Sequence, residues 1–319
     1  MTAPAGSLGE VLGAFVSAVG SPPPGVVAIV RAELLQSIAD SIAGSGSAQS
    51  SVVGRAWTSE AADAIALAPR GRWTSADYAA FRNASSAFSR QAPTVGPVTR
   101  TLRTVVVPAL CASIRWDRTS GMELLSALAG AAELTCRLHD VLEPSIQVRG
   151  LPAFALLGPL GAAAAVVRAR RGSAVELSNA IAIAGSLASG VAEIGESSTG
   201  AYLAGWAAQS GLLAGGLGVG GFSGPKQALE GERGYFRSFT GHRLPGGIGG
   251  VADDLGRAWR MTGVLGSSTE ADGVDGLLSC LSENGVPATV GASAFLAMET
   301  AADLGWLAQI LARPDRERR

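Results

Sequence analysis

From Thr199 to Gly224 the chain runs for 26 residues without a charged side chain, and nine of those residues are glycine. Few structures accept such a segment. It is long enough to cross a bilayer. However, Gln209 and Ser210 interrupt it, glycine recurs throughout it, and no cluster of basic residues flanks it. A helix buried among other helices is the better account, with small residues letting its neighbours approach closely. The Gly-Phe-Ser-Gly-Pro turn at 221–225 then stops it. This excludes a membrane role and asks for a large helical core.

The composition supplies that core. Apolar residues make up 47% of the chain and charged residues 16%, low against the roughly 25% usual in globular domains. The net charge of −1 gives no overall attraction to nucleic acid. Cys111, Cys136 and Cys280 are far apart, so they read as small buried apolar residues rather than a disulfide framework or a zinc site. The start, MTAPAGSLGEVLG, has no basic region ahead of an apolar run, which implies a cytoplasmic protein. No metal cluster is visible. The GGLGVGGFSG run follows a helix rather than a strand, so no dinucleotide cofactor is expected.

Periodicity and punctuation predict an all-α chain. Helices are expected over Leu8–Val19, Val26–Ala43 and Ser51–Ala68, the last stopped by Pro69-Arg70-Gly71. Thr74 with Asp77, Ser120 with Glu123 and Ser173 with Glu176 have capping-box spacing, so a helix should open at each. The second of these is expected to end near Leu142, with Pro144 closing it, and the third near Gly190. Residues 91–101 read as a loop, Val105–Trp116 as a helix, and 151–171 as a helix ended by Arg168, Arg170 and Arg171, which suit a C-terminal dipole. Residues 237–250 and 264–275 read as loops, and Leu277–Asn284 and Ser293–Leu311 as helices before a solvated PDRERR tail. Thr104–Val107 and Trp259–Thr262 are the two places where a short strand is conceivable.

Particular strings carry a resemblance. ELLQSIADSIAGS at 33–45, TVVVPALCAS, SGMELLSALAGAAELTCRL, GPLGAAAAVVRARRGSAVELSNAIAIAGSLASGV and, most specifically, GFSGPKQALEGERGYF are together similar to the helical domain of the MmgE/PrpD family. That family includes 2-methylcitrate dehydratases and cis-aconitate decarboxylases. The resemblance covers roughly 8–262 and, more weakly, 293–312. It implies a multi-helix fold and a homodimer. It also implies that residues 263–292 replace the family's α/β lid, leaving 1–319 as a single helical domain.

The family's chemistry needs a base beside a carboxylate and cations to hold carboxylates. The strings that supply them are altered here. Gln36 stands where the family carries Asp, Thr101-Leu102-Arg103 where it carries His-Pro-Gly, and Gly150-Leu151-Pro152-Ala153-Phe154 where it carries Gly-Phe-His-Pro-Thr. Thr199-Gly200-Ala201-Tyr202-Leu203-Ala204-Gly205 lacks the family's Lys and His. A multiply charged substrate would be left with unpaired charge. The expectation is an enlarged, apolar pocket for a hydrophobic, polyketide-like small molecule, worked on by an isomerase, lyase or cyclase that positions its ligand. Tyr202, Arg103 and His242 are the catalytic candidates. Asn83, Ser86, Arg149, Leu151, Phe154, Thr199 and Leu203 are the substrate-binding candidates. Each has a plainer reading as a cap, a surface charge or core, and Glu230 and Glu232 most simply pair with Arg233 or cap a helix. The alternative is a non-catalytic partner subunit that keeps the scaffold. An open cavity lined by Tyr202, Leu203 and Phe154 favours the enzyme, and a cavity filled by them favours the scaffold.

Overall fold

The computed structural model describes residues 6–56, 64–67, 72–91, 95–194, 197–266, 270–283 and 292–311. In chain order the helices are α1 (Leu8–Ala18), α2 (Pro24–Gly44), α3 (Ala48–Ala56), α4 (Ala76–Phe88), α5 (Pro97–Thr101), α6 (Val107–Ser113), α7 (Gly121–Arg149), α8 (Ala153–Ala169), α9 (Ala174–Leu187) and α10 (Ser198–Val219). Then follow α11 (Tyr235–Thr240), α12 (Gly247–Ala252), α13 (Met261–Leu265), α14 (Glu270–Glu283), α15 (Ala292–Leu296) and α16 (Gly305–Leu311). One antiparallel hairpin interrupts them, β1 (Ala64–Ala66) against β2 (Arg72–Thr74), with Ile65 opposite Trp73. The fold is all-α apart from that hairpin. Among the described residues, no helix is long and apolar enough to cross a membrane.

The charge-free stretch is α10, and it packs against α4, α8 and α9. Its glycines are contact points. A Cβ on Gly205 would sit 2.5 Å from Ser85 Oγ, and one on Gly211 would sit 2.4 Å from the Ala162 Cβ. Helix axes this close accept no larger side chain, so glycine here gains packing at the expense of helix propensity.

Two capping boxes form as the spacing predicts. Ser120 Oγ accepts from the Glu123 N–H at 3.3 Å while the Glu123 carboxylate accepts from the Ser120 N–H at 3.0 Å, and Ser173 and Glu176 repeat the pattern. Each such cap is worth about 1 kcal/mol. The third site differs. Thr74 ends β2, the cap of α4 is Ser75, and no side chain bonds there. The helix expected over 51–68 is α3 followed by β1, because the apolar run Ala64–Leu67 is wholly buried and pairs with β2.

Pro144 does not close α7. The helix runs on to Arg149 and ends at Gly150 in a left-handed turn (φ 61°), with the buried Leu142 and Ile146 holding its last turns against the core. The expected loop at 91–101 becomes helical at Pro97, whose missing N–H suits a first turn. Thr104–Val107 is not a strand. Residues 102–106 form a π-turn in which the Val107 N–H bonds the Leu102 carbonyl. Pro108, which has no N–H to give the Thr104 carbonyl, directly follows that widened turn. Trp259–Thr262 is likewise no strand, since Met261 opens α13.

The stretches read as loops at 237–250 and 264–275 hold α12, the end of α11 and the start of α14. Val274, Leu277 and Leu281 of α14 are buried at helical spacing. Residues 293–311 divide into α15, a 3₁₀ turn at Met298–Thr300 and α16. The Pro69-Arg70-Gly71 stop and the basic tail lie outside the described residues.

One buried ion pair organises the middle of the fold. Glu133 and Arg137, four residues apart on α7, are both fully buried and meet at 2.6 Å. Arg137 also donates to the Val251, Asp253 and Ala258 carbonyls at 2.9, 2.6 and 3.0 Å. Glu133 accepts from the Arg260 and Met261 N–H groups at 3.1 and 3.0 Å. The pair thus satisfies the backbone of an irregular segment that would otherwise bury unpaired carbonyls and amides. Cys111, Cys136 and Cys280 are all buried, and none of the three is in a disulfide.

Candidate functional site

One face of α2 carries polar groups at helical spacing, Glu33, Gln36 and Asp40, and it lies beside the π-turn that holds Arg103. Glu33 is fully buried. Arg103 grips it with two bonds, Nε to Oε2 at 2.6 Å and Nη2 to Oε1 at 3.1 Å. Two turns on, Asp40 accepts from Gln36 Nε2 at 3.0 Å and Gln91 Nε2 at 2.5 Å. Burial raises the Asp40 pKa above its usual value, opposed by the Gln36 bond, the Arg103 charge, the Gln91 bond and Arg90 in that order. The neighbouring Gln91 Oε1 is buried and has no hydrogen-bond partner among the described residues.

This face is covered. α14 packs along α2, and its glycines allow a close approach. A Cβ on Gly273 would be 2.8 Å from the Ala32 Cα, and one on Gly276 would be 2.8 Å from Gln36 Oε1. Cys280 Sγ donates to the Ala39 carbonyl at 3.3 Å. Arg31 reaches the Leu296 carbonyl, which fastens α15 to the same helix. Arg103 is therefore neither a surface charge nor a free cation for a substrate carboxylate. Its charge is spent on Glu33, a residue that sequence reading passed over because a lone Glu in a helix looks like solvated surface.

The open ground lies elsewhere. A groove of about 800 Å³ runs between α3 and the start of α10. Val52, Val53, Phe81 and Ala201 give it apolar walls, and Gln49, Thr199 and Tyr202 supply polar atoms. Tyr202 is 53% exposed, its ring edge-on to Phe81 with centroids 5.5 Å apart. The register of α10 explains this placement. Leu203, Ala204, Ala207 and Ala208 turn inward, which leaves Tyr202 and Trp206 facing out.

The remaining candidates scatter. Asn83 is fully buried and ties the hairpin to α4, accepting from the Leu67 N–H at 2.7 Å and donating to the Ile65 carbonyl at 3.0 Å. Ser86 shares a hydrogen bond with Ser50 at 3.0 Å. Phe154 and Leu203 are buried in a second core, Phe154 with its ring 5.1 Å from that of Phe88. Leu151 is half-buried against the main core. Arg149 is exposed, with its Nη1 3.3 Å from where a Cβ on Gly241 would lie. His242 is exposed beyond α11, its N–H bonded to Thr240 Oγ1 at 3.0 Å. The structure thus brings Thr199 and Tyr202 together in the groove and disperses the rest.

His139, the other histidine, is half-buried on α7, and burial lowers its pKa against the pull of Asp140 and Glu143. Glu232 pairs with Arg243 at 2.7 Å and Arg237 at 3.3 Å rather than with Arg233.

A family model described as the MmgE/PrpD N-terminal domain matches residues 12–246, well over half of the chain. No curated protein matches it significantly.

Proposed function

Because the chain belongs to the MmgE/PrpD family, we infer that it is a repurposed member. It binds a bulky hydrophobic, polyketide-like intermediate in the groove beside Tyr202, in the cytoplasm, and serves as an isomerase, lyase or cyclase by holding that ligand in a reactive conformer. It neither dehydrates 2-methylcitrate nor decarboxylates cis-aconitate. One observation carries the reading. In one of the strings that carry the family's acid–base groups, Arg103 is neutralised by Glu33 of the helix under α14, while another, Thr199–Gly205, borders an apolar cavity of about 800 Å³ and offers Tyr202 as its hydrogen-bonding phenol. An apolar groove with a few convergent polar atoms suits a large neutral ligand. Positioning alone can lower a barrier by up to roughly 7–11 kcal/mol in well-oriented cases.

On this reading residues 263–292 stand in place of the lid, and α14 seals the older pocket. A homodimer fits the exposed side of α10, where Trp206 and Leu213 are 42% and 54% exposed. The second reading, a non-catalytic partner subunit, draws on Phe154 and Leu203, which fill the space they were expected to line. The test is native mass spectrometry of protein purified from cells that express it, beside a Val53→Trp variant that fills the groove. An apolar small molecule should accompany the wild type and be missing from the variant. Its absence from both sinks the enzyme reading, and turnover of either tricarboxylate sinks the claim that the member is repurposed.

A further inference from the structure

A second cavity, of about 510 Å³, lies where the end of α6, the end of α8 and the start of α7 converge. Its lining is unlike that of the groove. Four guanidinium groups surround it, those of Arg115, Arg118, Arg170 and Arg171. Two carboxylates answer them. Asp117 takes Arg115 through two bonds of 3.2 Å and lies 3.8 Å from Arg118, and Glu123 takes Arg171 at 2.6 Å. Glu123 is further committed to the cap of α7. Arg170 has no carboxylate partner among the described residues, and desolvation lowers its pKa. The α6 and α8 ends add roughly half a negative charge each, which still leaves the cavity cationic. Between the arginines, Ala76, Ala112, Ile114 and Ala169 make a neutral floor.

We propose that this cavity is a binding site for an organic phosphate ester, with Arg170 and Arg118 holding the phosphate and the alanine and isoleucine floor taking the organic body. Arginine suits the task because its planar fork meets phosphate oxygens in pairs. Arg118 has only a shared, longer contact with Asp117 to give up, and Arg170 has none. The volume exceeds what a bare phosphate fills, and the apolar floor gives an organic group something to cover. The site is separate from the groove at α3 and α10, so it stands whether or not the reading of that groove does.

Isothermal titration calorimetry at low salt tests it with three probes, phenyl phosphate, inorganic phosphate and phenol. Phenyl phosphate should bind saturably at one site per chain, and inorganic phosphate more weakly. Phenol should give no saturable heat. Arg170→Gln should weaken phenyl phosphate by about tenfold or more, and Arg118→Gln by less. Arg237→Gln, on a remote surface, should change nothing, and both cavity arginines are exposed enough for the variants to fold. Phenyl phosphate without saturable binding overturns the proposal, as does an equal loss in Arg170→Gln and Arg237→Gln. Inorganic phosphate binding as tightly as the ester overturns the assignment to an ester and leaves a site for a free anion only.

Discussion

The polar face of α2 and the groove at the start of α10 are finished in opposite ways. The first keeps its ionisable side chains and loses its access. Glu33 and Arg103 cancel each other, Asp40 is bonded to two glutamines, and α14 lies across them. The second keeps its access and holds almost no charge. The difference teaches that an acid or a base does not by itself mark a working site, because structural ion pairs perturb ionisable groups too. Polar chemistry serves as mortar on one face here, while the seam left open is apolar.

Breaking the closed face should have the largest effect. Glu33→Ala strands the Arg103 guanidinium against covered surface. The side chain of Arg103 keeps 15% exposure, so water relieves part of the penalty. A loss of about 2–3 kcal/mol is expected, below the full cost of halving a sealed pair. Urea denaturation measures it, with the midpoint falling and the slope unchanged. A loss under about 0.5 kcal/mol, the size of an ordinary surface change, would mean that the face is open to water and that α14 does not seal it.

The groove should respond in the other direction. Val52 is 54% exposed on its rim, and Val52→Glu should leave stability within about 0.5 kcal/mol. Its carboxylate must stay hydrated, which sets it against any apolar occupant. A neutral apolar dye such as Nile red should therefore bind about tenfold more weakly, a difference of about 1.4 kcal/mol. If dye binding is untouched, the dye and the groove have nothing to do with each other. The contrast with the α2 face then loses its open half.

How much of this was legible depended on whether the signal was local. Ser120 with Glu123 and Ser173 with Glu176 read directly, because a capping box is completed within four residues. The all-α class and the burial of α10 followed from composition and from the missing charges. Thr74 with Asp77 has the same spacing yet forms no box, because pairing with Ala64 of β1 across the hairpin claims Thr74 first. Glu133 and Arg137 were invisible as a buried pair. Their spacing on α7 is also that of a solvated i,i+4 bridge, and only the arrival of residues 251–261 buries them. Among the site residues, Tyr202 and Thr199 face the groove beside α3 because the register of α10 turns Leu203 and Ala204 inward instead. Asn83 and Ser86 look like ligand-binding polar residues until the hairpin and Ser50 meet them. Partners more than ten residues away decide these cases, and no pattern within one helix records them.

The smallest expected effect is the one that separates sealed from merely crowded. Burial raises the pKa of Asp40 above 3.8, so the folded chain holds that proton more readily than the unfolded chain does. The sign follows. Below about pH 3.8 both states are protonated and the group contributes nothing. As pH rises through the folded pKa the native state loses the proton and carries a desolvated charge, so stability falls across that window and stays lower above it. Asp40→Asn removes the charge. Its amide can donate to Gln91 Oε1 once the Gln91 amide turns over, which replaces the present Gln91 bond and adds none. The variant should thus be more stable than the wild type at neutral pH, by less than about 1.5 kcal/mol, no more than one hydrogen bond is worth. The advantage should shrink as pH falls toward 4 and be gone once Asp40 is protonated in both states. Paired urea titrations at pH 7 and at acid pH measure it. An advantage that does not depend on pH would assign the gain to something other than the lost charge. A variant less stable than the wild type at pH 7 would show that the Arg103 and Arg90 charges outweigh desolvation, and that this face still holds its carboxylate as an anion in the way an anion-handling site does.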